Sequence, residues 1–155
     1  MNYLAQNLEG LRERYPALVQ TTQANQGGLL TVVPSREGSP SATYEGRWVH
    51  SGYDPRKEAQ AWAEAQLREW KAGELAVVLG VGLLYHVEAL VALKQQGAML
   101  AVVVPNVAEF NDTASTRPME AWINRVDWVW GAPVVMAEQL ATRSMPLRFM
   151  TYGPA

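Results

Sequence analysis

The stretch VVLGVGLLYHVEAL, residues 77–90, constrains the fold more than any other part of the chain. It opens inside a valine-rich apolar run that starts at Leu75 and shows no polar alternation. Such a run suits a strand buried on both faces of a parallel sheet. Gly80 and Gly82 then break the run, and an apolar helical segment follows from about residue 84. A strand that passes through two glycines into a helix is the first half of a βαβ unit. The turn of such a unit lies at the C-terminal edge of the sheet, where the free N–H groups of the helix favour an anion.

The rest of the chain is punctuated to match. Tyr3, Leu4, Leu8 and Leu11 recur at helical spacing, which predicts one short amphipathic helix over residues 1–15 that stops before Pro16. Two β-rich runs, 29–33 and 42–49, flank a Gly/Pro/Ser-rich turn and predict a hairpin. Asp54 suits an N-cap and Pro55 the first helical position. The stripe Ala59, Trp62, Ala63, Leu67 and Trp70 then runs to Gly73. Beyond the glycine turn we expect a helix over 84–95, a strand over 99–104 and a helix over 118–130. A strand over 133–137, a helical turn over 138–142 and a strand over 147–152 complete the alternation. Alternating strands and helices with right-handed crossovers mean an α/β, Rossmann-like, doubly wound and mainly parallel sheet. Residues 1–51 are expected to form a small N-terminal helix and β-hairpin cap packed on a body of residues 52–155, all within one compact domain.

Composition excludes several classes of function. Thirteen basic and fifteen acidic residues give a net charge of -2 without a long block of one sign, so neither nucleic acid nor an anionic membrane is an expected partner. The absence of cysteine removes disulfides, thiolate metal sites and a Cys nucleophile. The first residues lack the basic and apolar regions of a signal peptide, and no apolar run is long enough to span a bilayer. The expected location is cytoplasmic. Six Trp and six Tyr against two Phe favour half-buried aromatic surfaces of the kind used for oligomer or partner contact.

As a ligand site the turn is incomplete. A dinucleotide fingerprint needs three small residues and a later acid for the ribose hydroxyls. Here Gly80 and Gly82 supply two, Tyr85 stands at the third, and the second strand ends in Val104, Pro105 and Asn106. Asn106 is a weak substitute for the acid, and Glu109 or Asp112 replaces it only if the following loop folds back. His86 is a candidate for anion contact or proton transfer. His50, Ser51 and Tyr53 precede the Asp-Pro helix, whose start is expected at the same edge, so they join Tyr85 and His86 as candidate ligand residues. The two histidines lie far apart in sequence and predict no metal site, and no catalytic constellation is evident.

Three stretches, NLEGLRERYPAL, WVHSGYDPRKEA and VVLGVGLLYHVEAL, together resemble the N-terminal domain of the motility accessory factor (Maf) proteins, a family of flagellin glycosyltransferases acting with nonulosonic acids such as pseudaminic acid. The matching positions are His50, Ser51, Tyr53, Asp54, Pro55, Glu58 and Ala59, then Gly80, Gly82, Leu83, Tyr85 and His86. Two departures fall on the would-be site: Leu84 replaces the family's glycine, and Val104 stands at its acidic position. The resemblance implies a Rossmann-like module without the family's transfer chemistry, which belongs to a different domain. The first expectation is a stand-alone, non-catalytic module that binds a protein partner or a second copy of itself, with a small anionic or nucleotide-like ligand at the turn. The alternatives are a component of a nonulosonic acid glycosyltransferase system, a small S-adenosylmethionine-dependent methyltransferase, or an oligomeric structural accessory. These residues assign no cofactor.

Overall fold

The computed structural model describes residues 2–153. Its centre is a four-stranded parallel sheet in the order β6-β5-β4-β7, built from β4 (Leu75–Leu79), β5 (Leu100–Val104), β6 (Asp127–Trp130) and β7 (Leu147–Met150). Alternate residues of each strand feed two different cores, as the pleat requires. Ala76, Val78, Leu100, Val102, Val104, Trp128 and Met150 face one side, where the helices α1 (Leu4–Leu11), α2 (Pro16–Ala24), α3 (Pro55–Glu69), α4 (Tyr85–Leu93) and α5 (Val107–Thr116) contribute to the same apolar cluster. Leu75, Val77, Ala101 and Val129 face the other, which α6 (Pro133–Ala141) covers with Met136 and Leu140. Helices on both faces of a parallel sheet make the fold the Rossmann-like α/β class expected from the alternation.

Strand order locates the crevice. The chain steps from β4 to β5 to β6 in one direction, and β7 then returns to the opposite side of β4. The loops after β4 and β7 therefore diverge at the C-terminal edge, which is where open α/β sheets take their ligands. A second, antiparallel sheet of β1 (Thr31–Pro34), β2 (Pro40–Tyr44) and β3 (Arg47–Trp48) sits over that edge through a small cluster in which Leu30 and Ala42 join Ala59, Leu83 and Tyr85. No helix among the described residues is long and apolar enough to cross a membrane.

Several elements differ from the sequence expectation, each for a local reason. Pro16 does not end the N-terminal helical region; it occupies the first turn of α2. The run 42–49 is divided, because Glu45 and Gly46, at φ 50° and 79°, form the two-residue turn that joins β2 to β3. The helix expected over 118–130 lies instead at Val107–Thr116, capped by Asn106 and ended by an extended Arg117, as a residue before proline favours. Residues 127–130 are a strand because Trp128 and Val129 are buried on opposite faces of the sheet. The segment expected as a strand over 133–137 is the first half of α6, with Pro133 in its first turn.

The joint between α1 and α5 is polar. Asn7 is fully buried and its amide donates to the carbonyls of Ala114 and Arg117, at 2.8 and 2.7 Å, while its oxygen accepts from Met119 N at 2.8 Å. Asp112 closes the loop before β1 in the same manner, accepting from the amides of Gly28, Leu29 and Leu30 at 2.6 to 2.8 Å. We expect Asn7→Ala to lower the unfolding free energy by about 3 kcal/mol, since three buried backbone groups lose their partner together. Urea denaturation followed by circular dichroism measures this, and an unchanged midpoint would show that the joint does not hold α1.

Candidate functional site

The glycine turn is shaped by what surrounds it. Gly80 continues the ladder by donating to Val103 O at 2.7 Å, and a Cβ on it would lie 2.8 Å from Val102 Cγ1 and from that same carbonyl oxygen. Gly82 has φ +62°, and a Cβ there would collide with the His50 ring and lie 2.5 Å from Val49 Cγ1. Only glycine meets both demands at this position. Leu84, at φ 60°, is also left-handed, which costs a leucine about 1–2 kcal/mol. Its side chain is buried in the main core, where burial contributes about 1.5–3 kcal/mol in return. Leu84 thus points into the protein, away from the crevice.

His50 and His86 lie inside the protein, at 2% and 0% exposure. His50 Nε2 accepts a hydrogen bond from the Leu83 amide at 2.7 Å, across 33 residues of sequence. It is therefore the unprotonated nitrogen of a neutral ring. His86 Nε2 donates to Leu79 O at 3.0 Å, and its ring stacks on Tyr152 with centroids 4.5 Å apart. Tyr85 and Tyr152 both contact the His50 ring, at 5.2 and 5.6 Å, and Trp62 meets the edges of His86 and Tyr152 at 5.4 Å. Burial pushes the His50 pKa down to about 3, helped by His86 and by Arg117, and burial takes His86 down to about 4 despite its bond to Leu79. The Nδ1 atom of each ring is buried without a hydrogen-bond partner, so neither ring has a second acceptor to stabilise an imidazolium. Both rings are neutral at pH 7.

A charged pair and two capping groups frame this cluster. Arg117, 2% exposed, donates to Leu83 O at 2.7 Å and to Glu88, and its guanidinium lies 3.6 Å from the Tyr85 ring centroid. Arg56, 3.5 Å from Glu88, supports the same carboxylate. The Tyr85 hydroxyl donates to Pro40 O at 2.6 Å, which ties α4 to the small sheet. Burial raises the pKa of Tyr85, partly offset by Arg117 and Arg56; burial and then Glu58 raise that of Tyr152, whose hydroxyl donates to Glu58. Ser51 Oγ accepts from the amides of Tyr53 and Asp54, and Asp54 accepts from Lys57 N as the N-cap of α3.

Of the residues singled out in the sequence, His50, Tyr85 and His86 come together around Tyr152, and Ser51 joins them through Glu58, which accepts from its amide at 3.0 Å. Tyr53 is 67% exposed and shares a second cleft with Arg36, Trp48, His50, Ser51 and Glu58. Asn106 caps α5, accepting from Ala108 N at 2.9 Å. Val104 is buried in the main core. Sequence reasoning missed Arg117, Trp62 and Tyr152 as members of the cluster; an arginine directly before a proline, at a helix end, was the available signal for the first.

Above the switch point lies an open cleft of about 660 Å³. It is lined by Tyr44, Glu45, Arg47, Trp48 and Val49 from the small sheet and its flank, and by Val81, Glu109, Tyr152 and Gly153. Glu109 reaches it because α5 abuts the glycine turn: Thr113 Oγ1 donates to Gly82 O at 2.6 Å. Burial raises the Glu109 pKa, and the Gly82 amide partly offsets this by favouring the carboxylate.

No protein-family model matches the chain. No curated protein matches it either. Among solved structures it is similar to the MAf glycosyltransferase from Magnetospirillum magneticum AMB-1, with a TM-score of 0.67 and 14% sequence identity, over 99% of this chain. The chain spans 32% of the length of that protein, so the likeness is one of fold with a part of it.

The sign of the histidine effect gives a test. Each folded-state pKa is depressed below the usual value near 6.5, so stability is fully present above pH 6.5 and is lost as pH falls toward 4. Each ring should add a slope of about 1.4 kcal/mol per pH unit there, on the order of 3 kcal/mol in all for His86. Urea midpoints measured from pH 7 to 4.5 should fall steeply, and less steeply in His86→Gln; a flat native profile would contradict the buried neutral rings.

Proposed function

We propose that the chain is a non-catalytic binding module related to Maf proteins, acting in the cytoplasm, in which the glycine turn has become part of the scaffold. The observation that carries this reading is the Leu83 amide donated to His50. A phosphate cradle works through free amides at such a turn, and here the chain's own imidazole takes one of them. Glu109 brings a carboxylate beside Gly82 as well, so negative charge is already in place. His50 and His86, buried and neutral, are not placed for anion contact or for proton exchange with a ligand in the cleft. In this reading residues 1–51 are the cap and 52–155 the body. His50, Ser51, Gly80, Gly82, Tyr85 and His86 hold the two together, while Tyr53 and Asn106 serve local turns.

Glycosyl transfer, which the name of the similar protein describes, is not carried over to a chain that spans 32% of it. Self-association is a second reading, favoured by Phe149, which stands 68% exposed on the edge strand β7. Sedimentation velocity at high concentration separates it, since a monomer would exclude it.

The module reading predicts that phosphate, nucleoside diphosphates and nucleotide sugars leave the thermal midpoint unchanged at millimolar concentration. A saturable rise, with amide shifts at Gly82 and Leu83 in an NMR titration, would show a working phosphate cradle and overturn the reading.

A further inference from the structure

We infer that the second cleft, lined by Arg36, Trp48, Tyr53 and Glu58, is a site for a free α-amino acid with an apolar or aromatic side chain. Arg36 takes its carboxylate, Glu58 its ammonium, and the two rings its side chain. This cleft is distinct from the one above the switch point, and its occupancy does not depend on the state of the glycine turn.

The cleft forms where the loop after β1 meets the segment before α3. The amides of Arg36 and Glu37 donate to Gly52 O and Tyr53 O at 2.8 and 2.9 Å, so main-chain bonds hold Arg36 beside these residues. The Trp48 ring lies against Gly52, where a Cβ would stand 3.0 Å from Cζ2 and 3.1 Å from Cη2. Trp48 and Tyr53 are nonetheless 48% and 67% exposed, and both line this one cleft. Large rings left open in a concave place offer an apolar group a surface at low entropic cost. The volume of about 580 Å³ falls within the roughly 300–1,000 Å³ typical of small-molecule sites.

Charge decides the class of ligand. Arg36 is the one cation in the lining and Glu58 the one carboxylate. The Arg36 guanidinium rests 5.6 Å from the Tyr53 ring centroid and makes no ion pair among the described residues. Glu58 Oε1 accepts from the Ser51 amide at 3.0 Å and from the Tyr152 hydroxyl, while Oε2 accepts nothing among the described residues. His50 lines the cleft as a neutral ring whose Nδ1 lacks a partner, so it adds no charge. A simple anion meets repulsion from Glu58, and a simple cation meets it from Arg36. A zwitterion answers both, with its carboxylate on the planar guanidinium and its ammonium on Glu58 Oε2 beside the Trp48 ring. An α-amino acid carries the two charges and a side chain on one carbon, which suits a cleft where free charges and open rings lie together.

The test is an NMR titration of the full chain, labelled at amides and Trp indoles, with phenylalanine, tyrosine, leucine and methionine. Glycine and the N-acetyl and amide derivatives of each amino acid serve as comparisons. At least one of the four should shift the Trp48 indole and the Gly52 and Tyr53 amides saturably, and glycine and both blocked forms should bind about ten-fold or more weakly. Arg36→Gln should bring that amino acid down to the affinity of its amide and leave the amide's own affinity unchanged. Glu58→Gln should bring it down to the affinity of its N-acetyl form, since glutamine keeps an oxygen for Ser51 and Tyr152. Trp48→Ala, about ten-fold weaker, gives a third readout should the Glu58 variant fold poorly. No saturable shift with any of the four, or a blocked form that binds as tightly as its parent, overturns the inference. Either result leaves the module reading standing, which falls only on phosphate-dependent shifts at Gly82 and Leu83.

Discussion

The rest of the site depends on one hydrogen bond, from the Leu83 N–H to His50 Nε2. It joins the small sheet to the glycine turn, and it requires His50 to be neutral with its other nitrogen protonated. It also requires the absence of a side chain at Gly82, since a Cβ there would occupy the place of the ring. What the glycine provides here is room for an internal partner. The same two glycines that let a nucleotide approach in other α/β proteins let this chain's own residues approach instead.

That contact orders the cluster around it. With His50 fixed, Tyr85 packs edge-on to it and anchors Pro40, Arg117 covers Tyr85 and bonds the Leu83 carbonyl, and His86 stacks on Tyr152 at the end of the sheet. Buried arginine is tolerable because Glu88 neutralises it and the Tyr85 ring face receives it. Of this cluster only Tyr152 reaches the open cleft beside the small sheet.

The sheet was legible where the sequence carried a strong period. Leu75–Leu79, the turn and α4 follow from an unbroken valine run and two glycines, and α3 from its Asp-Pro start. The second half was less legible, because Pro118 and Pro133 are ambiguous in sequence. The first ends α5 by holding Arg117 extended, and the second starts α6; only the buried faces of Trp128 and Met136 settle which. Residue types grouped His50, Tyr85 and His86, and the three do lie in one aromatic cluster. Their orientation was not readable, since it rests on contacts between residues more than thirty positions apart and on burial that no local pattern encodes. Glu109 reaches the crevice through the placement of α5, an element the periodicity had set eleven residues later.

The central claim is that the turn is closed from within by a neutral His50. Long-range nitrogen-correlated NMR of the imidazoles at pH 7 tests it directly. The account predicts that His50 carries its proton on Nδ1, that its bare Nε2 is coupled to the Leu83 amide across the hydrogen bond, and that the ring stays neutral to below pH 5. A proton on Nε2, or a ring that titrates near pH 6.5, would leave the Leu83 amide free and contradict it.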